Sequence, residues 1–265
     1  MLSISNSISI GSVEFVLNVP DTDGQAFIDR VVAAGGSLTT TEQTAVKQLV
    51  VDLKAYGIWT SIQAAYPNIG GSALACKQNL VSASFIGTFS GTSTFSSTGV
   101  TGNGTTGYMD TGYNPSTSGT LNSAHLSVYS RTTGVQNDSG EIGAGDTRYQ
   151  QITIRDTGDS TTVALNSNVD FVTNTDSHGF YIASRINSSQ VKIYKNNSLL
   201  GTIGRIAAAL PNRNIFVGGV NKSAGIEYSN NQIAFSSIGA GLTDTQAANY
   251  YNAVQAFQTA LGRAV

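Results

Sequence analysis

Gln190-Val191-Lys192-Ile193-Tyr194-Lys195-Asn196-Asn197-Ser198-Leu199-Leu200-Gly201 is the stretch that decides the fold class. Val191 and Ile193 alternate with Lys192 and Tyr194, the period of two that a half-buried strand requires, and the segment as a whole reads as a hairpin. Further along, Gln232 to Ile238 reads as a closing strand. A helix spanning 243–262 follows, in which Thr243 and Gln246 have capping-box spacing and Ala247, Tyr250, Tyr251, Val254, Phe257 and Leu261 form an apolar stripe. Hairpin, closing strand and terminal helix in that order predict the closing section of a jelly-roll sandwich.

Strand-like runs precede it: Ala83 to Phe89, His125 to Arg131, Gln150 to Arg155, Thr161 to Leu165, Gly179 to Ile186 and Asn214 to Val220, separated by clusters of Gly, Asn, Asp and Ser. Alternation assigns Leu126, Val128, Ile152, Ile154, Phe180, Ile182 and Ile186 to a core face. It leaves Tyr129, Arg131, Gln151, Thr153, Arg155, Tyr181, Arg185, Lys192 and Tyr194 on a solvated face. Residues 69–265 are thus expected to form one sandwich with its terminal helix. The Gly/Thr/Ser-rich stretch from Ser90 to Gly119 reads either as an edge meander or as a functional surface loop.

Residues 21–68 read as a helical segment packed on that sandwich. Asp21-Thr22-Asp23 can cap a helix carrying Phe27, Ile28, Val31 and Val32, stopped at Gly35-Gly36. Thr39 and Glu42 have capping-box spacing before Val46, Leu49, Val50 and Leu53, and Trp59, Ile62 and Tyr66 continue the apolar pattern as far as Pro67. Such short helices need a surface to pack on, either the sandwich or a partner chain. Residues 1–20 form an extended arm, with Ile4, Ile8 and Ile10 in one phase and Val13, Phe15, Leu17 and Val19 in the other. The change of phase falls at Gly11-Ser12, where a bulge is expected. The arm is either the first strand of the sandwich or a strand that docks on another subunit.

Composition narrows the function classes. Of 265 residues only 11% are charged, against roughly 25% in typical soluble proteins, and the formal net charge is -2. A neutral, hydroxyl-rich surface lacks the clustered Lys and Arg that a nucleic-acid partner needs. The single Cys76 excludes an intrachain disulfide and is expected to be a small buried hydrophobe. The alternating N-terminus is unlike a signal peptide, and no apolar run approaches the roughly 20 residues of a membrane span, so assembly in a reducing cytosol without membrane insertion is expected.

Asp52-Leu53-Lys54-Ala55-Tyr56-Gly57-Ile58-Trp59 followed by Tyr66-Pro67-Asn68-Ile69-Gly70-Gly71 resembles a "DLKxYGLW…YPxxGG" signature of virion proteins of tailed bacteriophages. Asn103 to Thr111 resembles that group's "NGTNGYADT" stretch, and His125 to Arg131 its "HLSYYSR" strand. Ile142 to Asp146 and Gly241 to Gln258 extend the resemblance over roughly residues 21–265. It implies a concanavalin A-like lectin/glucanase sandwich on a phage particle, as a tail-fibre, receptor-binding or capsid-decorating protein, and it carries over no catalytic residues. By analogy with phage fibres and decorations the chain is expected to be a homotrimer; residues 1–20 lie outside the resemblance, and attachment to other virion proteins is expected through that arm.

The chemistry-bearing residues favour binding over catalysis. Retaining glycosidases hold two carboxylates about 5 Å apart, whereas Glu14, Glu42, Glu141 and Glu227 are scattered and Glu141 meets Asp146 only across Gly143 and Gly145. A glucanase-like depolymerase therefore stands as the alternative to a non-enzymatic structural protein. No Gly-x-Ser-x-Gly elbow supports a nucleophile, and the G-x-G-x-x-G match at 102–107 has no buried strand before it and no helix pattern after it. His125 reads as a cross-strand or surface residue and His178 as a turn residue; Asp176 with His178 is weak as a metal pair. Calcium on Asp110, Asp138 or Asp146 is a minority reading, and no cofactor is expected. Tyr129, Arg131, Arg155, Tyr181 and Arg185 combine aromatic faces with planar donors suited to sugar hydroxyls. The same residues would serve equally as a subunit interface.

Overall fold

The computed structural model describes residues 21–135 and 139–265. One sheet contains β1 (Ile62–Tyr66), β3 (Ser93–Ser96), β4 (Gly99–Gly102), β6 (Ala124–Ser130), β11 (Gly179–Arg185), β12 (Val191–Lys195), β13 (Ser198–Ile203) and β17 (Gln232–Gly239). Its order is β13-β12-β11-β6-β17-β4-β3, with β1 sharing the β4 edge of β17. The second sheet contains β2 (Thr88–Ser90), β5 (Tyr108–Asp110), β7 (Ile142–Gly145), β8 (Tyr149–Thr153), β9 (Ser160–Ser167), β10 (Asp170–Thr173), β14 (Phe216–Val217), β15 (Gly219–Lys222) and β16 (Gly225–Tyr228). Its order is β10-β9-β8-β7-β14-β5-β2, and β15 pairs with β7 and β16. Helices α1 (Thr22–Ala33), α2 (Thr40–Ala55), α3 (Ala73–Cys76), α4 (Pro115–Ser118) and α5 (Asp244–Ala260) complete the chain. A β-sandwich with N-terminal helices and a C-terminal helix is the expected fold class, and the hairpin at Asn196-Asn197 lies where the opening stretch places it.

The first sheet is buried on both faces. Leu126, Val128, Tyr181, Ala183, Val191, Ile193 and Ile238 point at the second sheet, where they meet Ile142, Ile152, Val163 and Leu165. Tyr129, Phe180, Ile182, Tyr194 and Phe235 point the other way, into a second core with Phe27, Val31, Leu49, Leu53 and the α5 residues Tyr250, Val254 and Phe257. The register explains the split: Tyr181 pairs with Val128, and Phe180 with Tyr129. Each pair therefore shares a face, and the helices form a third layer.

Side chains at the element ends explain why the helices start where they do. Thr39 and Glu42 form a reciprocal capping box on α2, as Thr243 and Gln246 do on α5. Glu42 does a second job, since its other carboxylate oxygen accepts from Gly70 N at 2.8 Å. Gly70 itself has φ 79° and no room for a Cβ, which would lie 2.6 Å from Ser37 O. Asp21 caps α1 and accepts from Lys54 Nζ at the far end of α2, fixing the two helices together.

Three expectations need correction. Trp59, Ile62 and Tyr66 do not continue α2: Gly57 ends it at φ 66°, and 62–66 becomes β1, paired with β17 from Ser236 to Gly239. Ala83 to Gly87 is not strand, and Phe85 adopts φ 54° with its ring edge-on to Tyr113 at 5.1 Å. Ile186 lies past the end of β11 and is half-exposed rather than core. The stretch Ser90 to Gly119 is a meander containing β3, β4, β5 and α4. Residues 1–20, including the Gly11-Ser12 bulge, lie outside the described residues, as does Asp138.

The C-terminal tail is locked by a buried arginine. Arg263 is wholly buried, and its guanidinium donates to Asn68 O at 2.8 Å, Pro67 O at 2.6 Å and Ala234 O at 2.9 Å. Burial brings its pKa down to about 10, so it stays charged while carbonyl dipoles replace its water. Arg263→Met would leave three buried carbonyls without a donor and is expected to lower stability by about 2–4 kcal/mol. A urea midpoint unchanged from wild type would contradict this.

His125 gives a pH signature. Nδ1 lies 2.6 Å from the Ala240 carbonyl and so must carry the proton; Nε2 then accepts from Ser237 Oγ at 3.0 Å, and Ser127 lies 2.6 Å behind it. Burial drives the His125 pKa from 6.5 down to about 4. Between those values the unfolded chain binds a proton that the folded chain refuses, so stability falls as pH drops from 6.5 towards 4. The loss attributable to this ring is on the order of 3 kcal/mol. Urea unfolding at a series of pH values should show that slope, and His125→Gln should flatten it.

Candidate functional site

The structure does not assemble the five sequence-predicted binding residues on a solvated face. Tyr129 is buried beneath α5 and its hydroxyl bonds Gln255 and the Val265 backbone. Arg131 donates from Nε to Arg263 O at 2.7 Å and from a terminal nitrogen to Gln232 Oε1, holding the C-terminal tail. Arg155 pairs with Asp159 across the turn after β8. Tyr181 lies between the sheets, bonded to Asn174 and the Asp176 carbonyl, and burial raises its phenol pKa. Arg185 is buried between the sheets with its guanidinium on the carbonyls of Leu165, Asn187 and Arg205. Tyr129, Tyr181 and Arg185 therefore offer a sugar approaching from solvent no surface. The expected solvated face holds for Gln151 and Thr153 of β8, but Tyr129 and Tyr194 are covered by the helices and Tyr181 and Arg185 lie between the sheets.

The other nominated groups are also engaged. Glu141 is wholly buried, accepting from Ile154 N, Ser229 Oγ and Asn231 Nδ2, and burial raises its pKa. Asp146 accepts backbone bonds from Thr147, Arg148 and Asn212, which hold its carboxyl below the usual range against the opposing effect of partial burial. Asp110 accepts from Gly112 N and Asn214 Nδ2. His178 lies 3.9 Å from Asp176, which Lys195 also pairs. Cys76 is buried, its thiol pushed up to about 12. Among the described residues, no three His, Cys, Asp or Glu side chains converge as a metal site.

The open chemistry lies on the outer face of the second sheet. In β8, Gln150 and Ile152 turn inward, Gln150 to bond Asn166 and Ile152 to join the core. Period-two alternation therefore turns Gln151 and Thr153 outward. In β9 the inward Val163 and Leu165 leave Thr162 outward, and in β10 the partly buried Val172 leaves Phe171 outward. These side chains, with Ser139, Asp156, Val169, Lys222 and Glu227, line a trough of about 200 Å³. At about 30 Å³ per water it holds roughly the volume of six waters, or one sugar ring.

The floor is polar and the rim mixed. Gln151, Thr153 and Thr162 are nearly buried at the bottom, and the Gln151 Oε1 atom has no hydrogen-bond partner. Phe171 stands at the rim 58% exposed, a large ring left in water beside hydroxyls and an amide. Lys222 ion-pairs with Glu227 and lies 5.6 Å over the Tyr149 ring, so the two rim charges neutralise each other. Asp156 spends Oδ1 on Gly158 N and Ser160 Oγ and Oδ2 on Thr162 Oγ1, within its own turn. The arrangement offers an aromatic wall, hydroxyl and amide groups below it, a neutralised Lys222–Glu227 pair at the rim and one carboxylate, Asp156, held by neutral donors. Of these residues the sequence singles out Gln151, Thr153 and, among the scattered glutamates, Glu227, while an apolar Phe171 following Asp170 is a legible signal it does not use.

No family model matches the chain, and no characterised protein matches it by sequence. Solved structures do. The chain is similar to botulinum neurotoxin type C, whose cell entry is described as dependent upon interaction with two ganglioside molecules, with a TM-score of 0.55 and 13% identity over 76% of this chain and 53% of that one. It is similar to the binding domain of botulinum neurotoxin DC in complex with rat synaptotagmin II, with a TM-score of 0.54 and 14% identity over 75% of this chain and 52% of that one. Domain 4 of AbnA, an extracellular arabinanase of Geobacillus stearothermophilus in complex with arabinotriose, aligns with a TM-score of 0.46 and 14% identity over 72% of this chain and 98% of that one. The chain spans about half the length of the two neurotoxin structures. At such identities the likeness is one of fold: a β-sandwich of the same kind.

Proposed function

We propose that the chain is a glycan-binding sandwich displayed on a bacteriophage particle, where it binds a host surface glycan without cleaving it. The observation that carries the binding reading is the trough on the outer face of the second sheet, with Phe171 exposed above the near-buried Gln151, Thr153 and Thr162. An aromatic face covers the C–H side of a sugar ring, and the Thr153 and Thr162 hydroxyls below it, which donate to Ser139 O and Asp156 Oδ2, keep lone pairs that can accept from the ring's hydroxyls. The fold, which is also that of domains whose descriptions name gangliosides or an arabinose oligomer, is compatible with this reading and does not require it. The virion setting rests on the sequence motifs from Asp52 to Gly71, His125 to Arg131 and Gly241 to Gln258, with residues 1–20 as the attachment arm and a trimer as the assembly.

Hydrolysis is the second reading, because the trough contains two carboxylates, Asp156 and Glu227. Binding is favoured over it because Asp156 is tied into its own turn and Glu227 is paired with Lys222, leaving neither as a free acid or nucleophile.

The test is retention of the full-length protein on a glycan array, followed by calorimetry on the best ligand with Phe171→Ala. Loss of one stacking contact is expected to weaken binding about tenfold, the equivalent of roughly 1.4 kcal/mol. Absence of any retained glycan, or equal affinity of the variant, sinks the reading. Release of shorter saccharides from the bound ligand would establish the hydrolytic alternative.

A further inference from the structure

β13 is an open sheet edge with properties that folded proteins avoid. Among the described residues it pairs with β12 alone. Its sequence, Ser198 to Ile203, contains no charge and no proline, and Leu199 on it is 52% exposed. Edge strands are ordinarily blunted by Lys, Pro, bulges or a covering element; β13 has one register shift, opposite Ile193 and Tyr194, but no Lys or Pro, and its outer edge remains a template for another strand. It is the longest of the described edges: β10 and β3 have four residues and β2 has three. The β2 and β3 side is further closed by Phe89 packing edge-on against Phe95 at 4.8 Å.

The sequence of residues 1–20 has the chemistry of a matching strand. Ile4, Ile8 and Ile10 alternate with Ser and Asn, and no charged side chain occurs before Glu14. Twenty residues reach up to about 66 Å when extended, at about 3.3 Å each. The arm joins the described fold at Asp21, which Lys54 holds at the end of α2. α1, which begins there, leans towards the β1 side, where Arg30 donates to Asn79 O and Leu80 O. β13 lies on the opposite side, past α2 and α5, with α5 tied to β12 through Asp244 and Lys192. An arm joined at one side and an edge open on the other favour a head-to-tail contact between copies, a heterologous geometry that forms a ring when the rotation between copies closes.

We propose that the outer edge of β13 receives residues 1–20 of a neighbouring copy of this chain as an added strand. This rests on the self-association part of the proposed function, takes residues 1–20 for contact between copies in place of attachment to other virion proteins, and is independent of the glycan part. The test compares, by light scattering after gel filtration, the full chain, a chain lacking residues 1–20, and the exposed-edge variant Leu199→Lys/Thr202→Lys. A ring oligomer for the full chain and loss of association in both variants, with unchanged circular dichroism, is the result expected. A Ser7→Cys/Thr202→Cys chain should then oxidise to cross-linked multimers. A monomeric full chain, an oligomer that survives either change, or bridges formed only within one chain would overturn the proposal. Glycan retention by the dissociated variants would separate its success from that of the trough, and loss of glycan binding alone leaves the edge assignment standing.

Discussion

The fold depends on burying both faces of one sheet. β6, β11 and β17 present Leu126, Val128, Tyr181 and Ile238 to the second sheet and Tyr129, Phe180 and Phe235 to the helices. Tyr250 of α5 is the contact that joins the two: its ring stands edge-on to Phe180 at 5.3 Å and to Phe235 at 6.1 Å, beside His125 at 6.0 Å. Two or three aromatic contacts of this kind, each worth about 0.5–1.5 kcal/mol beyond area, help hold α5 over strands that are far from it in sequence, such as β11. The Arg263 clamp follows from the same demand. Once α5 is seated, the chain ends against carbonyls at Pro67, Asn68 and Ala234 that no water reaches, and a guanidinium satisfies all three.

This arrangement also decides where binding chemistry can reside. The central sheet spends its polar side chains internally, His125 on Ala240 and Ser237, Ser184 on Leu242, and Arg185 on three carbonyls. The second sheet has a core on one face only. Its outer face keeps Gln151, Thr153, Thr162 and Phe171 around a trough, with the Lys222–Glu227 pair neutralised at the rim.

Local signals were legible in the sequence. Both capping boxes and the Asp21 cap occur where Thr39-x-x-Glu42, Thr243-x-x-Gln246 and Asp21 predict them, because a cap is satisfied within one turn. The hairpin at 196–197 is legible for the same reason. What alternation could not reveal is what covers each face. Tyr129, Tyr181 and Arg185 have the composition of a wetted face, yet Tyr129 is taken up by the tail 136 residues away, Arg185 by Leu165 and Arg205 20 residues to either side, and Tyr181 is closed in between the sheets. The Trp59 to Tyr66 stretch fails differently: an apolar spacing of three and four over so short a run fits a helix, and only pairing with Ser236 to Gly239, far along the chain, makes it a strand. The trough escaped for a related reason, since its residues come from β8, β9, β10, β15 and β16 and converge only when the sheet forms.

The central claim is that this outer face, and not the central sheet, meets the ligand. Backbone amide NMR of the full chain titrated with an oligosaccharide tests it most directly. The account predicts shift changes concentrated at Gln151, Thr153, Thr162 and Phe171, with the amides of Tyr129, Tyr181 and Arg185 unmoved. Saturable changes centred elsewhere, with the trough amides unaffected, would contradict it.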